Sequence, residues 1–268
     1  MQLIQKPKKS LGQNFLIDKN IINKIIKVGN IDRSKTIIEI GSGYGNLTEC
    51  LSQMNPKKIF AIEKDKKLSF FLKEKFKNYK NIKVINKDIL SIIENSEINK
   101  GTIIFGNLPY NISTKILSSL ITLKKWPPQY DLLIFMFQKE VADRIIAKSH
   151  TKEYGRLAVL ANWRLEIKKH FEISKYCFIP KPKVNSTLLS FKPKKNVAFD
   201  LISPKTLETV TRVLFSSRRK MINKNFKKLF NNKVSLTHHL NIDLKKRPEE
   251  LSYEKFYEIA YTYEKLFS

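Results

Sequence analysis

The chain has 268 residues and a formal net charge of +27, from 51 Lys and Arg against 24 Asp and Glu, and this excess predicts a polyanionic partner such as nucleic acid. The hydrophobic fraction of 42% excludes a disordered chain, no apolar run is long enough to span a bilayer, and two isolated cysteines are too few for a disulfide framework or a metal site. We therefore expect no metal and no membrane partner, and the basic start without an apolar signal core predicts a cytoplasmic protein.

The first element in chain order is a basic arm, residues 6–17, that turns into an amide-bearing apolar segment. A disordered tail is one interpretation, but such a tail has little reason to carry the amides and large apolar groups of residues 13–16. Asp18 then has the position of a helix N-cap, four isoleucines follow at helical spacing, and Gly29 suits a helix end.

A glycine-rich turn follows the first predicted strand, which covers residues 36–40. Gly41, Gly43 and Gly45 stand between that buried apolar run and a helix that begins at Asn46. Glycines let backbone N–H groups approach a ligand closely. A strand, a glycine turn and a helix start in this order therefore predict a nucleotide-type site.

Two further predicted strands end near acidic residues. The strand over residues 58–62 leads into Glu63, 22 positions after Gly41 (63 − 41), near the spacing at which a carboxylate accepts from ribose hydroxyls. The strand over residues 82–85 leads to Asp88. Two such acids behind a glycine turn favour a ligand site over helix caps or solvated strand ends.

The glycine spacing distinguishes between nucleotide ligands. A dinucleotide turn would place its third glycine at Asn46, and a phosphate-binding loop would add a lysine, but this chain has neither feature. A nucleoside ligand without phosphates fits better, with Glu63 at the ribose and Asp88 near the adenine amine. S-adenosylmethionine is such a ligand, and it carries an electrophilic methyl group.

The stretch Asn107-Leu108-Pro109-Tyr110 follows an apolar strand over residues 102–105. An amine on a nucleobase is a poor nucleophile because its lone pair is delocalised into the ring. Groups that accept hydrogen bonds from its N–H groups turn that lone pair toward an electrophile. The Asn107 side-chain oxygen and the Leu108 carbonyl are two such acceptors. Pro109 fixes its own φ and pushes Leu108 toward an extended conformation, and Tyr110 can stack on the base. An ordinary strand-to-helix turn is the alternative, since Asn and Pro are common turn residues.

The later part of the main domain adds strands and a rigid basic loop. Residues 132–137 predict a further strand, and residues 163–171 and 186–191 can pair as antiparallel strands. The loop over residues 177–183 carries Phe178 among prolines and lysines. That ring either belongs to the core or stacks on a base.

A Lys- and Pro-rich linker ends the strand pattern. We place the domain boundary there, with a main domain over residues 1–195, which includes the basic arm, and an all-helical domain over residues 196–268. In the second domain the sequence predicts a helix that begins at Ser217, and Arg218, Arg219 and Lys220 follow consecutively. This density of charge predicts a phosphate contact, with a solvated helix face as the alternative.

Seven ordered segments carry a resemblance to a known family. They are Gly12-Gln13-Asn14-Phe15-Leu16, Glu39-Ile40-Gly41-Ser42-Gly43, Asn107-Leu108-Pro109-Tyr110-Asn111-Ile112-Ser113-Thr114, Gln138-Lys139-Glu140-Val141, Tyr154-Gly155-Arg156-Leu157, Pro182-Lys183-Val184 and Phe215-Ser216-Ser217-Arg218-Arg219-Lys220. Together they resemble the ribosomal RNA adenine N6,N6-dimethyltransferases that act on small-subunit RNA. The resemblance implies an α/β fold, with a Rossmann-like class I methyltransferase domain built on a seven-stranded mixed sheet and a small all-helical C-terminal domain.

The resemblance also implies roles for individual residues. The implied S-adenosylmethionine site is lined by Asn14, Leu16, Gly41, Gly43, Glu63, Asp88 and Asn107. Asn107 and Leu108 are expected to orient the target amine, while Tyr110 and Phe178 are expected to sandwich the flipped adenine. The sequence departs from the family pattern at Ser42, where Pro is common, and at Asn185, where Asp is usual. Neither departure removes a group with an implied role.

The implied function is methyl transfer from S-adenosylmethionine to the N6 amines of two adjacent adenosines near the 3′ end of 16S rRNA, by a monomer that binds the small ribosomal subunit. One alternative is a large-subunit rRNA methyltransferase of the macrolide-resistance type, which shares the Asn-Leu-Pro-Tyr turn. Another is a nonenzymatic RNA-binding assembly factor on the same fold. The segment at residues 218–220 and the Gln13-Asn14 pair favour the small-subunit enzyme, and the presence of Glu63 and Asn107 argues against lost catalysis.

Overall fold

The chain forms two compact units in the computed structural model, which describes residues 6–8, 11–94, 98–232 and 239–267. The first unit comprises residues 1–120, 127–142 and 167–193, and the second comprises residues 121–126, 143–166 and 194–268. The second unit thus draws two segments from the middle of the chain in addition to the C-terminal part.

The secondary structure elements alternate between strands and helices up to residue 193. The strands are β1 (Phe15–Leu16), β2 (Thr36–Ile40), β3 (Lys58–Ile62), β4 (Ile82–Ile85), β5 (Thr102–Asn107), β6 (Tyr130–Gln138), β7 (Leu165–Ile173), β8 (Phe178–Ile179) and β9 (Ser186–Pro193). The helices are α1 (Lys19–Val28), α2 (Asn46–Ser52), α3 (Lys66–Lys75), α4 (Ile89–Glu94), α5 (Ser113–Ile121), α6 (Lys139–Ile146), α7 (Arg156–Arg164), α8 (Pro204–Leu214), α9 (Asn223–Leu229) and α10 (Tyr253–Phe267). Beyond residue 193, every regular element in the described part of the chain is helical.

Seven strands form one mixed sheet in the order β4-β3-β2-β5-β6-β9-β7, and β1 and β8 form a separate two-stranded ribbon. The strands from β4 to β6 pair in parallel, and β9 is antiparallel to β6. This arrangement confirms the predicted α/β fold with a seven-stranded mixed sheet and helices at the C-terminus.

The central parallel strands of this sheet are largely apolar, as expected for strands that are covered on both faces. Ile37 in β2, Ile59 in β3 and Ile104 in β5 have no exposed surface. The register places Ile40 beside both Ile62 and Gly106. Because these neighbours lie side by side, β2, β3 and β5 end at the same edge of the sheet.

Helix α1 begins and ends where the sequence predicts. The Asp18 carboxylate accepts hydrogen bonds from the N–H groups of Asn20 at 2.9 Å and Ile21 at 3.0 Å, which satisfies donors that have no partner inside the helix. At the other end the Gly29 N–H donates to the Ile26 carbonyl at 2.9 Å. The isoleucines at helical spacing face the core, where Ile22 and Ile25 are each 1% exposed.

The second unit is held together by buried polar groups with main-chain partners. The Tyr154 hydroxyl donates to the Leu251 carbonyl at 2.9 Å, and the Tyr257 hydroxyl donates to the Val159 carbonyl at 3.1 Å. The buried Arg164 guanidinium donates to carbonyls of residues 121 and 123 and lies 4.0 Å from the Trp163 ring centroid. These hydrogen bonds join segments that are distant in sequence. They also give each buried donor a partner, and a buried donor without one would destabilise the fold.

One helix begins later than the sequence suggests. The helix expected to begin at Ser217 begins at Asn223, and Phe215–Ser217 forms a short 3-10 helix before it. Three consecutive cations at residues 218–220 are unfavourable at a helix N-terminus, where the macrodipole is positive. No helix in the described ranges is long and apolar enough to cross a membrane.

Glu39, in β2, generates a prediction about stability and pH. Its side chain is 3% exposed and hydrogen-bonded to the Thr48 hydroxyl, and burial raises its pKa from 4.5 to about 8. Between these two values the unfolded chain releases a proton that the folded protein retains, so the free energy of unfolding falls as pH rises. One pKa unit corresponds to about 1.4 kcal/mol, so Glu39 lowers the free energy of unfolding by a few kcal/mol over this pH range.

We expect Glu39→Gln to flatten this pH dependence, because the amide cannot ionise in either state. Urea unfolding of both proteins at several pH values between 5 and 8 measures the difference. Parallel pH profiles for the two proteins would show that Glu39 is ionised in the fold.

Candidate active site

The parallel strands of the first unit end at an open cavity. Its wall includes six of the seven residues that the sequence predicts for a cofactor site: Asn14, Gly41, Gly43, Glu63, Asp88 and Asn107. The seventh, Leu16, is 5% exposed and lines an adjoining smaller cavity that also includes Asn107. The structure therefore brings together side chains from segments that are far apart in sequence.

The glycine turn and Glu63 are joined by direct hydrogen bonds. Glu63 Oε2 accepts from the Gly43 N–H at 2.9 Å, and Oε1 accepts from the Asp65 N–H at 2.8 Å. Gly43 has a φ of +56°, a conformation that L-residues with a side chain rarely adopt. Burial raises the pKa of Glu63, and the bonds from Asp65 and Gly43 partly offset this effect. The carboxyl group is thus fixed at the cavity wall.

Asp88 is the second acidic group at the cavity. Its Oδ2 accepts from Lys64 Nζ at 2.8 Å, and its Oδ1 accepts from the Leu90 N–H at 3.0 Å. Burial alone would raise the pKa of Asp88, but the hydrogen bonds from Lys64 and Leu90 hold that pKa below its ordinary value. Asp88 therefore offers an ionised acceptor at the end of β4.

Asn107, the last residue of β5, is oriented by the N-terminal segment. Its Nδ2 donates to the Asn14 carbonyl at 2.7 Å. Because the amide nitrogen is used in this way, Oδ1 is the atom that remains to accept a hydrogen bond. A single main-chain carbonyl therefore decides which end of the Asn107 amide serves as an acceptor.

The N-terminal segment that supplies this carbonyl is anchored at three further points. The Asn46 side chain donates to the Leu16 carbonyl at 2.8 Å. Asp65 Oδ2 pairs with Lys8 Nζ at 2.7 Å and accepts from Gln13 Nε2 at 3.3 Å. The Asp65 side chain is fully buried, so this pairing is shielded from solvent on one side. The segment predicted from its amides and apolar groups is thus an ordered wall of the cavity.

Asp65 and Asn46 were not among the predicted site residues. Asp65 has the sequence signal of a helix cap, and its Oδ1 does accept from the Lys67 N–H at 2.9 Å at the start of α3. Its second oxygen anchors the N-terminal segment, and no local pattern indicates that. The contact partner Lys8 lies 57 positions earlier (65 − 8), beyond the reach of sequence periodicity.

The residues around the Asn107 turn differ in exposure. Leu108 is 1% exposed, so its side chain belongs to the core while its main chain remains at the strand end. Tyr110 is partly buried, and its hydroxyl lies 2.7 Å from Ser186 Oγ in β9. Burial raises the pKa of Tyr110, so this hydroxyl stays neutral at physiological pH. Ser186 is a partner that sequence reasoning missed.

Phe178 is buried, with 2% of its surface exposed, and pairs with Leu16 across the β1–β8 ribbon. The sequence left open whether this ring belongs to the core or stacks on a base, and in the structure it lies in the core. Tyr176, which precedes this loop, carries an exposed aromatic ring, with 71% of its surface accessible.

The three predicted phosphate contacts of the second unit have different surroundings. Arg218 Nε pairs with Glu249 Oε2 at 2.9 Å, and its Nη2 donates to the Lys152 carbonyl. Arg219 and Lys220 instead line an open surface cavity. The other cationic residues of that cavity are Lys224, Lys245 and Arg247. Within the described ranges, no cluster of three or more His, Cys, Asp or Glu side chains is arranged to hold a metal ion.

Comparison with known proteins gives a consistent set of relatives. The sequence profile of a family described as ribosomal RNA adenine dimethylase matches residues 4–265. A ribosomal RNA small subunit methyltransferase A from Pelagibacter ubique is 46% identical over 261 residues, covering 97% of this chain and 98% of the relative. A protein of the same description from Nitrobacter winogradskyi is 37% identical over 257 residues, covering 94% and 88%.

Solved structures show the same fold. A dimethyladenosine transferase from Plasmodium falciparum superposes with a TM-score of 0.76 at 25% identity, covering 91% of this chain and 95% of the relative. The 23S rRNA methyltransferase ErmE superposes with a TM-score of 0.65 at 21% identity, covering 92% and 99%. At that identity the second likeness supports the fold alone.

The packing of the glycine turn against the N-terminal segment can be tested by substitution. A Cβ at Gly43 would lie 2.7 Å from the Phe15 ring and would sit at a positive φ. Gly101 is a matched control, because its φ of +78° is also positive but no atom lies within 4 Å of the added Cβ. We expect Gly101→Ala to lower the free energy of unfolding by about 1 kcal/mol from backbone strain, and Gly43→Ala to lower it further.

Urea unfolding measures both losses, and limited proteolysis reports whether residues 11–16 become exposed in Gly43→Ala alone. Equal losses in the two variants would show that Phe15 does not pack on the turn.

Proposed function

Because the chain belongs to the ribosomal RNA adenine dimethylase family, we propose that it transfers methyl groups from S-adenosylmethionine to the N6 amines of two adjacent adenosines near the 3′ end of small-subunit (16S) rRNA. The observation that carries this proposal is the orientation of Asn107, whose Nδ2 is held by the Asn14 carbonyl. This leaves a neutral oxygen at the carboxyl end of β5 to accept from an amine.

The donor set of the cavity fits S-adenosylmethionine. The ligand presents two ribose hydroxyls and an adenine amine, which are donors, and the cavity offers the carboxylates of Glu63 and Asp88 as acceptors. We assign the ribose to Glu63, which two backbone N–H groups already fix, and the adenine amine to Asp88. Gly41 and Gly43 let the main chain approach the ligand closely. When bound, S-adenosylmethionine supplies an electrophilic methyl group.

The residues of the Asn107 turn prepare the nucleophile. Asn107 Oδ1 and the Leu108 carbonyl accept hydrogen bonds from the two N–H groups of the target adenine. These hydrogen bonds turn the lone pair of the amine away from the ring and toward the methyl donor. Pro109 restrains the Leu108 carbonyl. Holding the amine in near-attack contact supplies much of the rate. A strong general base is not required, since the nitrogen becomes acidic once it carries the methyl group.

The target adenine must leave its stack to reach this turn, at a cost of a few kcal/mol. Tyr110 compensates part of this cost by stacking on the base. Its ring is restrained by the hydrogen bond between its hydroxyl and Ser186. Phe178 cannot form the second face of a sandwich while it is buried in the β1–β8 ribbon, so we propose that it reaches the base only if this ribbon opens.

The small ribosomal subunit is the partner that we propose. The curated relatives at 46% and 37% identity are both named as small-subunit enzymes, which favours this substrate over the large-subunit alternative and over a nonenzymatic assembly factor. We place the RNA contact of the second unit at Arg219 and Lys220, in the basic surface cavity, rather than at Arg218, which is neutralised by Glu249. We further propose that the protein acts as a cytoplasmic monomer.

The direct test is incubation with labelled S-adenosylmethionine and unmodified small or large subunits, followed by mapping of the methylated base. Label on two adjacent adenosines near the 3′ end of the small-subunit RNA is expected. Label on the large subunit alone would indicate the macrolide-resistance type of enzyme, and no label on either would indicate a nonenzymatic role.

Asn107→Ala separates chemistry from binding. Because the lost contact acts on the amine in the transition state, we expect methylation to slow by at least about 100-fold while affinity for the subunit stays near wild type. Single-turnover rates at saturating S-adenosylmethionine measure this effect without interference from cofactor affinity. A near-normal rate under these conditions would remove Asn107 from its proposed role.

The double substitution Arg219→Glu and Lys220→Glu tests the RNA contact of the second unit. We expect weaker binding of the small subunit and a salt dependence that is flatter by a slope of about one for each lost phosphate contact. Lys205→Glu with Lys265→Glu is the matched control, because it changes the net charge equally at exposed positions of the same unit. Equal effects of the two double variants would show that only the total charge matters.

A further inference from the structure

Tyr176 is the most exposed aromatic side chain in the described part of the chain, with 71% of its surface accessible. It lies in the short 3-10 helix Lys175–Cys177, between β7 and β8. An exposed ring gains little from folding, because it buries little apolar surface. The exposed Tyr176 ring is therefore available to stack on a flat group of a partner.

The ring is accompanied by positive charge. Lys181 Nζ lies 4.8 Å and Lys175 Nζ 5.8 Å from the centroid of the Tyr176 ring. Residues 174–185 contain a third lysine, Lys183, and no acidic residue. An aromatic ring among cations is the combination by which proteins hold single-stranded nucleic acid, since the ring stacks on a base and the cations neutralise phosphates.

The segment that carries Tyr176 is restrained by hydrogen bonds from main-chain N–H groups. The Cys177 N–H donates to the Ser174 carbonyl at 3.0 Å, and the Lys175 N–H donates to Asn185 Oδ1 at 3.1 Å. The amide of Asn185 makes this contact without adding a negative charge. A ring presented by an ordered loop loses less conformational entropy on binding than a ring on a mobile one.

The same loop is connected to the wall of the candidate active site. The Ile17 N–H donates to the Cys177 carbonyl at 2.9 Å, and the next residue, Phe178, pairs with Leu16. Leu16 is two residues from Asn14, whose carbonyl orients Asn107. The acidic side chain in contact with this loop, Asp18, caps α1 with one oxygen and accepts from Cys177 Sγ at 3.7 Å with the other.

We propose that Tyr176, with Lys175 and Lys181, binds an unpaired nucleotide of the RNA substrate close in sequence to the target adenosine. The Tyr176 ring stacks on the base, and the two ammonium groups contact the adjoining phosphates. This inference rests on the proposed function, because it requires an RNA substrate at the Asn107 turn. It assigns to Tyr176 a binding role that is separate from methyl transfer.

Equilibrium binding of unmodified small subunits tests the proposal with three variants. Tyr176→Ala should weaken affinity roughly 5- to 100-fold, the usual effect of removing a stacking partner, whereas Tyr176→Phe should stay near wild type because it keeps the ring. Phe70→Ala is the matched control, since Phe70 in α3 is 68% exposed and should change nothing. The single-turnover rate at saturating subunit and the affinity for S-adenosylmethionine should be unchanged in all three.

A second measurement locates the contact. A photoreactive phenylalanine analogue installed in place of Tyr176 should crosslink to the small-subunit RNA within a few nucleotides of the methylated adenosines. Wild-type affinity of Tyr176→Ala, or crosslinks confined to distant RNA or to ribosomal proteins, would overturn the inference. Failure of the wild-type protein to methylate any subunit would instead overturn the proposed function, so the two failures are distinguishable.

Discussion

The hydrogen bond from Asn107 Nδ2 to the Asn14 carbonyl joins two parts of the chain that lie 93 residues apart. A side-chain amide has one donor end and one acceptor end, and this bond decides which end faces the cavity. The Asn14 carbonyl is itself held in place, because Asp65 anchors the N-terminal segment through Lys8 and Gln13. The proposed chemistry of the Asn107 turn therefore depends on the order of a segment that contributes no reacting group.

The sheet supplies the second constraint. Parallel strands in register end at the same edge, so the residues that follow Ile40, Ile62 and Gly106 become neighbours. Polar groups gather there because the strands themselves are apolar and covered on both faces. The positive φ of Gly43 and its bond to Glu63 then connect two adjacent strand ends directly. A ligand at this edge meets backbone N–H groups and carboxylates that folding has already positioned.

The cationic side chains of this highly charged protein differ in their surroundings. In the second unit Glu249 neutralises Arg218, whereas Arg219 and Lys220 line an open cavity with other cations. In the first unit Lys175 and Lys181 surround the exposed Tyr176 ring. Each of these sites combines cations with a shape or a ring, and such combinations bind nucleic acid more selectively than charge alone.

The sequence by itself determined the alternation of strands and helices, the cap at Asp18 and the strand-end groups Gly41, Glu63, Asp88 and Asn107 of the cavity, because apolar periodicity, capping and strand-end positions are local signals. It did not determine whether the Phe178 ring or the Tyr176 ring is exposed. Phe178 and Tyr176 have similar neighbours in sequence, but Phe178 is buried against Leu16, a partner 162 positions away (178 − 16). The tertiary structure also decided that Asp65 anchors the N-terminal segment and that Arg218 is paired, because each outcome depends on a contact between distant segments that no periodicity encodes.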